Sequence, residues 1–236
     1  MLPGLYLSAN GMRARIAQQE IVANNVANLH SPGFKREAVT FRELYSTLPG
    51  TTLPVLGLEV KTDFGMGSLQ RTGDPLNLAI EGRGFFTVET PKGMRYTRDG
   101  NFTLNENGLL VTQRGYPVWG VNGPVVIDGD EVAVSSQGEV IVDGRLVDRL
   151  LLSDFDLPYP LRKVGEGLFA PLAGSEAKKS ENPRLMQGYL EASNVAPAKE
   201  MIELITILRL YETNQKAILI QDQTLNRAVN DLGKIR

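Results

Sequence analysis

Cysteine is absent from the 236-residue chain, and histidine and tryptophan occur once each. Without cysteine there is no disulfide framework, thiolate nucleophile or thiolate zinc site. With His30 alone, catalytic triads and multi-histidine metal sites rest on a single imidazole, so no metal or cofactor is expected and the chain reads as a non-enzyme. Stretches dominated by apolar residues, such as Leu204 to Leu208 with Thr206 among them, fall far short of the ~18 residues that mark a spanning helix, which argues against membrane insertion. Lys and Arg number 25 against 27 Asp and Glu, a net charge of −2 with no block of one sign, so the basic footprint of a nucleic-acid binder is missing. The opening MLPGLYLSANGMRARIAQQE carries Asn10, Arg13 and Arg15 where the apolar segment of a secretory leader would continue, so a cleaved signal is not expected.

What is present suits a folded chain of one or two domains: 42% apolar and 22% charged residues. Both ends read as helix. Positions spaced alternately by four and three, Leu5, Ala9, Met12, Ile16, Gln19, Ala23 and Val26, are apolar except Gln19, and the helix should stop near Asn28 to Gly33, where Ser31-Pro32 opposes helical geometry. Met201, Leu204, Leu208, Tyr211, Gln215, Ile218, Asp222, Leu225, Val229 and Leu232 keep the same alternation at the other end, after the start signal of Asn194, Pro197 and Glu200. That helix spans about 36 residues, or ~54 Å, against ~39 Å for the first.

The middle reads as sheet. Short Val-, Ile-, Thr- and aromatic-rich stretches alternate with turn residues, and Asp99-Gly100 and Asn107-Gly108 predict hairpins. The fold class is therefore α+β: an all-β central domain, antiparallel and sandwich- or barrel-like, inserted between long N- and C-terminal helices that pair as a coiled coil. The expected division is a helical domain of residues 1–34 plus 190–236, an extended Pro/Gly/Thr-rich connector over 35–75, and a β-rich domain over 76–189. A two-helix hairpin is too thin to cover flank positions such as Ile202, Ile205, Ile207 and Leu219, which need other copies to bury them. A monomeric module whose helices pack back on its own β domain is the alternative.

Other features carry less. Asp128-Gly-Asp-Glu131 lacks the ligand spacing of a calcium loop and reads as a turn. Gly82-Arg-Gly84 and Gly65-Met-Gly67 are too short to cradle phosphate, Trp119 reads as a core anchor, and His30 as an exposed turn residue. Asn24, Asn25 and Asn28 crowd the end of the first helix against helix propensity. Asn24 and Asn28 share one face, where their amides could bond a neighbouring chain.

Read whole, ANNVANLHSPGFKRE resembles the N-terminal signature of the flagellar axial proteins, the rod and hook family of the bacterial basal body. DPLNLAIEGRGFFTVETPKGMRYTRDGNFTLNENGLLVTQRGYPVWG resembles the family's shared β stretch, and QGYLEASNVAPAKEMIELITILRLYETNQKA its C-terminal helix. The short connector after Phe34 and the stretch Gly115 to Ile127 look most like a proximal-rod protein, and LRLYETNQKA also suits the distal rod.

The resemblance implies a structural subunit, exported unfolded through the flagellar type III apparatus without a cleaved leader and located in the extracytoplasmic, periplasmic rod. It implies helical polymerisation into a torque-transmitting tube with the terminal helices innermost. Expected partners are copies of itself, other rod and hook proteins, the export apparatus and ring or bushing proteins. It places Leu5, Met12, Ile16 and Val26 on a seam against Met201, Leu204, Leu208, Tyr211 and Ile218, with Leu225 further along. Asn24, Asn25, Asn28, Gly33 and Phe34 would sit at the turn out of the inner tube, and Leu29-His30 departs from the small or hydroxyl residue of many relatives.

Overall fold

A computed structural model describes residues 2–48, 51–180 and 184–233, and the side chains at 8–42, 57–180, 184–227 and 230. An N-terminal helix, an antiparallel β region and a C-terminal helix follow one another, as an α+β chain. Helix α1 spans Leu2–Ala27 and ends ahead of Ser31-Pro32, where Ser31 N donates to Asn28 O and Gly33 takes a φ of +66°. Helix α2 spans Pro197–Gly233, with proline in the first turn, where no helical hydrogen bond is lost.

The chain divides into two compact units whose borders differ from those expected. The first joins Met1–Ala27, Glu37–Asp63 and Ala196–Arg236; the second joins Asn28–Arg36 and Phe64–Val195. The supposed connector is thus split between them. Much of it is a hairpin of strands β1 (Glu37–Leu48) and β2 (Thr51–Thr62), in register through Val39 opposite Val60 and Phe41 opposite Leu58. Its β-branched and aromatic residues favour pairing, and a two-stranded ribbon has only edges, where Pro54 is tolerated. At its base the Arg15 guanidinium sits 4.9 Å from the Phe41 ring centroid, holding the hairpin against α1.

In the second unit the strands form sheets of six, three and two members, all antiparallel. The six-stranded sheet runs in the order Leu161–Gly165, Leu168–Pro171, Gly93–Thr97, Phe85–Thr90, Leu152–Asp154, Lys178–Lys179. One edge is two lysines and the other carries a register shift between Lys163 and Gly165, two devices that discourage further strand addition. The main core gathers Leu78, Ile80, Phe86, Val88, Phe102, Val118, Val140 and Leu152, and a second cluster stacks Phe85, Tyr96, Phe155 and Phe169. Trp119 is not the core anchor expected: it is half-buried, and its indole donates to Glu89 Oε2 at 3.2 Å.

Asn107-Gly108 closes a hairpin between Phe102–Leu104 and Leu110–Thr112. Asp99-Gly100 does not. The strand before it pairs with Phe85–Thr90 and Leu168–Pro171, so the chain changes sheets there. Gly100 is required by closeness: its carbonyl accepts from Leu78 N at 3.0 Å, and a Cβ on it would lie 1.7 Å from Leu78 O. Where a backbone accommodates it, Gly→Ala stabilises by ~0.4–1 kcal/mol. Gly100→Ala is expected to do the reverse, lowering the urea-derived stability of this unit by ~1–3 kcal/mol through overpacking.

Candidate assembly surface

In the first unit α1 and α2 pack antiparallel along a stripe that the apolar pattern places one residue off. Ala14, Gln18, Val22 and Asn25 of α1 are buried, while Met12 and Val26 are half-buried and Ile16 is 44% exposed. Leu5 lies outside the described side chains. On α2 the covered stripe runs Glu200, Leu204, Ile207, Tyr211, Asn214, Ile218, Gln221 and Leu225. Leu204, Tyr211, Ile218 and Leu225 fall on it as expected; Met201 and Leu208 face outward, and Ile207, expected on the flank, is fully buried. The offset arises because the real seam carries Gln18, Asn25, Glu200 and Asn214, which a search for apolar periodicity passes over.

Gln18 Nε2 donates to Glu203 Oε1 at 3.1 Å, and Asn25 Nδ2 donates to Glu200 Oε2 at 3.0 Å. Asn25 also donates to Glu37 O and accepts from Glu37 N, at 2.8 and 3.0 Å, so one amide joins α1, the start of β1 and the first turn of α2. These bonds offset the helix-propensity cost of an asparagine at this position. Asn24 is exposed on the helix surface.

The outward side of α2 carries exposed apolar residues in two groups, near its start and past its middle, with Arg209, Glu212 and Lys216 between them. Met201, Ile202, Ile205, Leu208, Leu219 and Ile220 are exposed, Ile202 by 67% and Ile220 by 62%. At about 100° per residue these positions centre roughly 150° around the helix from the covered stripe. The helix therefore places apolar residues on two opposed sides, and its own chain covers one of these sets.

The residues after α1 belong to the second unit. Asn28 Oδ1 accepts from Ser31 Oγ at 3.0 Å, and His30 is exposed in the turn. Gly33 N donates to Glu191 O at 2.7 Å, and a Cβ on Gly33 would lie 2.2 Å from the Arg98 carbonyl carbon. Phe34 is buried with Lys163 Nζ 3.6 Å from its ring centroid. Lys35, which the sequence reading did not single out, is fully buried and bonds Glu191 Oε1 at 2.5 Å and Gly65 O at 2.8 Å. Arg98 meets the other Glu191 oxygen at 3.3 Å and donates to Ile80 O and Gly82 O. Burial pulls the Arg98 guanidinium below its ordinary pKa, and Glu191 opposes that shift. Nothing in the local sequence pairs these three residues; only the fold does.

Among the described residues no cluster of three His, Cys, Asp or Glu could hold a metal ion. Asp128–Glu131 is a turn whose Glu131 N donates to Asp143 Oδ1. A cavity of about 280 Å³ beside Arg83 and Lys178 is lined by charges already paired, Arg83 with Asp154 at 3.1 Å and Lys178 with Asp156 at 2.7 Å. No described helix is long and apolar enough to cross a membrane.

Three stretches match known families in chain order. Residues 5–35 match the flagella basal body rod protein family, residues 79–142 the flagellar hook protein FlgE/F/G D1 domain, and residues 186–232 the C-terminal region of the flagellar basal body rod FlgEFG proteins. The flagellar basal-body rod protein FlgF of Caulobacter vibrioides is 36% identical over 240 residues, spanning 98% of each chain. The rod protein FlgG of Bacillus subtilis is 33% identical over 261 residues, spanning 98% of this chain and 99% of the relative. FlgG of Buchnera aphidicola from Acyrthosiphon pisum is 34% identical over 257 residues, spanning 96% and 98%.

Two outcomes follow for the second unit. Glu191→Ala leaves two buried cations without their carboxylate and is expected to cost ~3–5 kcal/mol in urea unfolding, whereas Asp156→Ala, in an exposed pair, should cost under ~1 kcal/mol. Burial also pushes the Asp99 carboxyl up to about 6, opposed by a hydrogen bond from Asn101 N. Because the folded state holds this proton more tightly than the unfolded one, its contribution to stability falls as pH rises from about 4 to about 6 and is level above. Asp99→Asn keeps the acceptor for Asn101 N and should flatten the pH–stability curve across that window.

Proposed function

This chain belongs to the flagellar basal-body rod protein family and is a structural subunit of the rod, of the proximal-rod type; we propose that it self-assembles through α1 and α2 into a helical tube that carries torque from motor to hook. The observation that carries the assembly reading is the second set of apolar residues on α2, left open by the chain itself. Burying one such Leu or Ile contributes ~1.5–3 kcal/mol, so a few per neighbour, repeated along a polymer, offset the entropic cost of association. In this reading α1 and α2 form the coiled-coil inner layer, and Ile16, Met201 and Leu208, together with Ile202, Ile205 and Leu219, meet adjacent subunits. Asn24, exposed near the end of α1, is a polar group for such contacts.

The partners are copies of the chain and other rod and hook proteins, with the flagellar export apparatus delivering it and ring or bushing proteins surrounding it. The site of action is the basal-body rod in the periplasm, and the work is mechanical rather than catalytic. Within the family, alignments to FlgF relatives run over 240 and 245 positions against 257 and 261 for FlgG, so this 236-residue chain needs fewer gaps to match the former.

Ile205→Asp and Leu208→Asp are expected to abolish incorporation into the rod and swimming motility while leaving the urea midpoint of the second unit unchanged; normal motility refutes the assignment. In dilute protein the amides of α2 should exchange faster than those of the second unit's core and gain protection on assembly, where a self-contained binding module would protect them fully from the start.

A further inference from the structure

We infer that the polar residues between α1 and α2 form a register device, selecting for α1 the same chain's α2 in a single antiparallel alignment. This rests on the helix-pair reading above and concerns what the pair recognises. Along α1, Asn25, Gln18 and Gly11 stand seven residues apart on the covered stripe. Across from them, Asn25 bonds Glu200, Gln18 bonds Glu203, and Gly11 faces Asn214, whose Nδ2 would lie 3.2 Å from a Cβ at that glycine. Descending α1 climbs α2, layer by layer. Between the polar layers lie Ala14, Val22, Leu204, Ile207 and Tyr211, which are covered but generic in chemistry.

Sliding α2 by one heptad, ~10.5 Å, brings apolar residues opposite apolar residues again, because Leu204, Tyr211, Ile218 and Leu225 repeat at that interval. The slide changes the polar layers unequally: Asn25 comes level with Ile207 in place of Glu200, while Gln18 comes level with Asn214 and Gly11 with Gln221. Asn25 then loses Glu200 as its partner, and Gly11 no longer receives the Asn214 amide. A buried polar group deprived of its partner carries its full desolvation penalty, whereas the native alignment satisfies it. An all-apolar seam would accept slipped alignments, and it would accept the helices of neighbouring copies as readily as its own. Polar layers therefore separate two tasks: the polar stripe recognises the chain's own helix, and the exposed apolar residues of α2 are left for other molecules.

The cysteine-free sequence gives a clean test in the isolated full-length protein. Gly11→Cys with Asn214→Cys reports the native alignment, and Gly11→Cys with Ile207→Cys or with Gln221→Cys reports one-heptad slips. In the otherwise native chain the first disulfide is expected to exceed the slipped ones by at least about tenfold, the ratio that ~1.4 kcal/mol of preference supports. Adding Gln18→Leu, Asn25→Leu, Glu200→Leu and Glu203→Leu should bring the slipped and intermolecular disulfides to within a few-fold of the native one. Gln18→Leu with Glu203→Leu, removing one layer only, should raise them by a smaller factor. If neither background raises slipped or intermolecular products, the register device is overturned. A native disulfide pattern in a chain that fails to build rods counts instead against the assembly reading.

Discussion

The first unit depends on a mismatch between what α2 offers and what one partner can cover. A helix buries one stripe against one neighbour, yet α2 carries large apolar residues on two opposed sides. Its own chain takes the stripe of Leu204, Ile207, Tyr211 and Ile218 and leaves Met201, Ile202, Ile205 and Leu208 open. The covered stripe sets Gln18, Asn25, Glu200 and Asn214 among its apolar residues, and the outward side sets Arg209, Glu212 and Lys216 among its own.

The helix ends, the antiparallel β middle and the α+β class were legible because each rests on local periodicity or turn chemistry: Ser31-Pro32 stops α1, Pro197 opens α2 and Asn107-Gly108 closes a hairpin. The seam was legible only in part. Among the described side chains, Leu204, Tyr211, Ile218 and Leu225 lie on the covered stripe, and Glu200, Ile207 and Asn214 stand there instead of Met201, Leu208 and Gln215, since hydropathy alone ranks a methionine above a glutamate that finds an asparagine. The hairpin of Glu37–Leu48 with Thr51–Thr62 was hidden by Pro54 and the Gly/Thr content, which read as a loop until pairing partners are known.

The asparagine-rich motif stood out in the sequence without revealing what Asn25 bonds. Asn25 is constrained by the backbone of Glu37 and by Glu200, 175 positions away, and Gly33 by the backbone of Arg98. Lys35 was invisible as a special residue because its partner Glu191 lies 156 positions on. Trp119 was over-weighted: the aromatic weight of the core is carried by Phe85, Phe86, Phe102, Phe155 and Phe169, packed edge to face.

Those same long separations bear on timing. Both units are fastened by bonds between an early residue and one far downstream, Gln18 with Glu203 and Lys35 with Glu191. A polypeptide threaded through a narrow conduit head first has neither fastening available until its final stretch has emerged. On the exit side, connectivity alone delays both fastenings until residues 191 and 203 have followed.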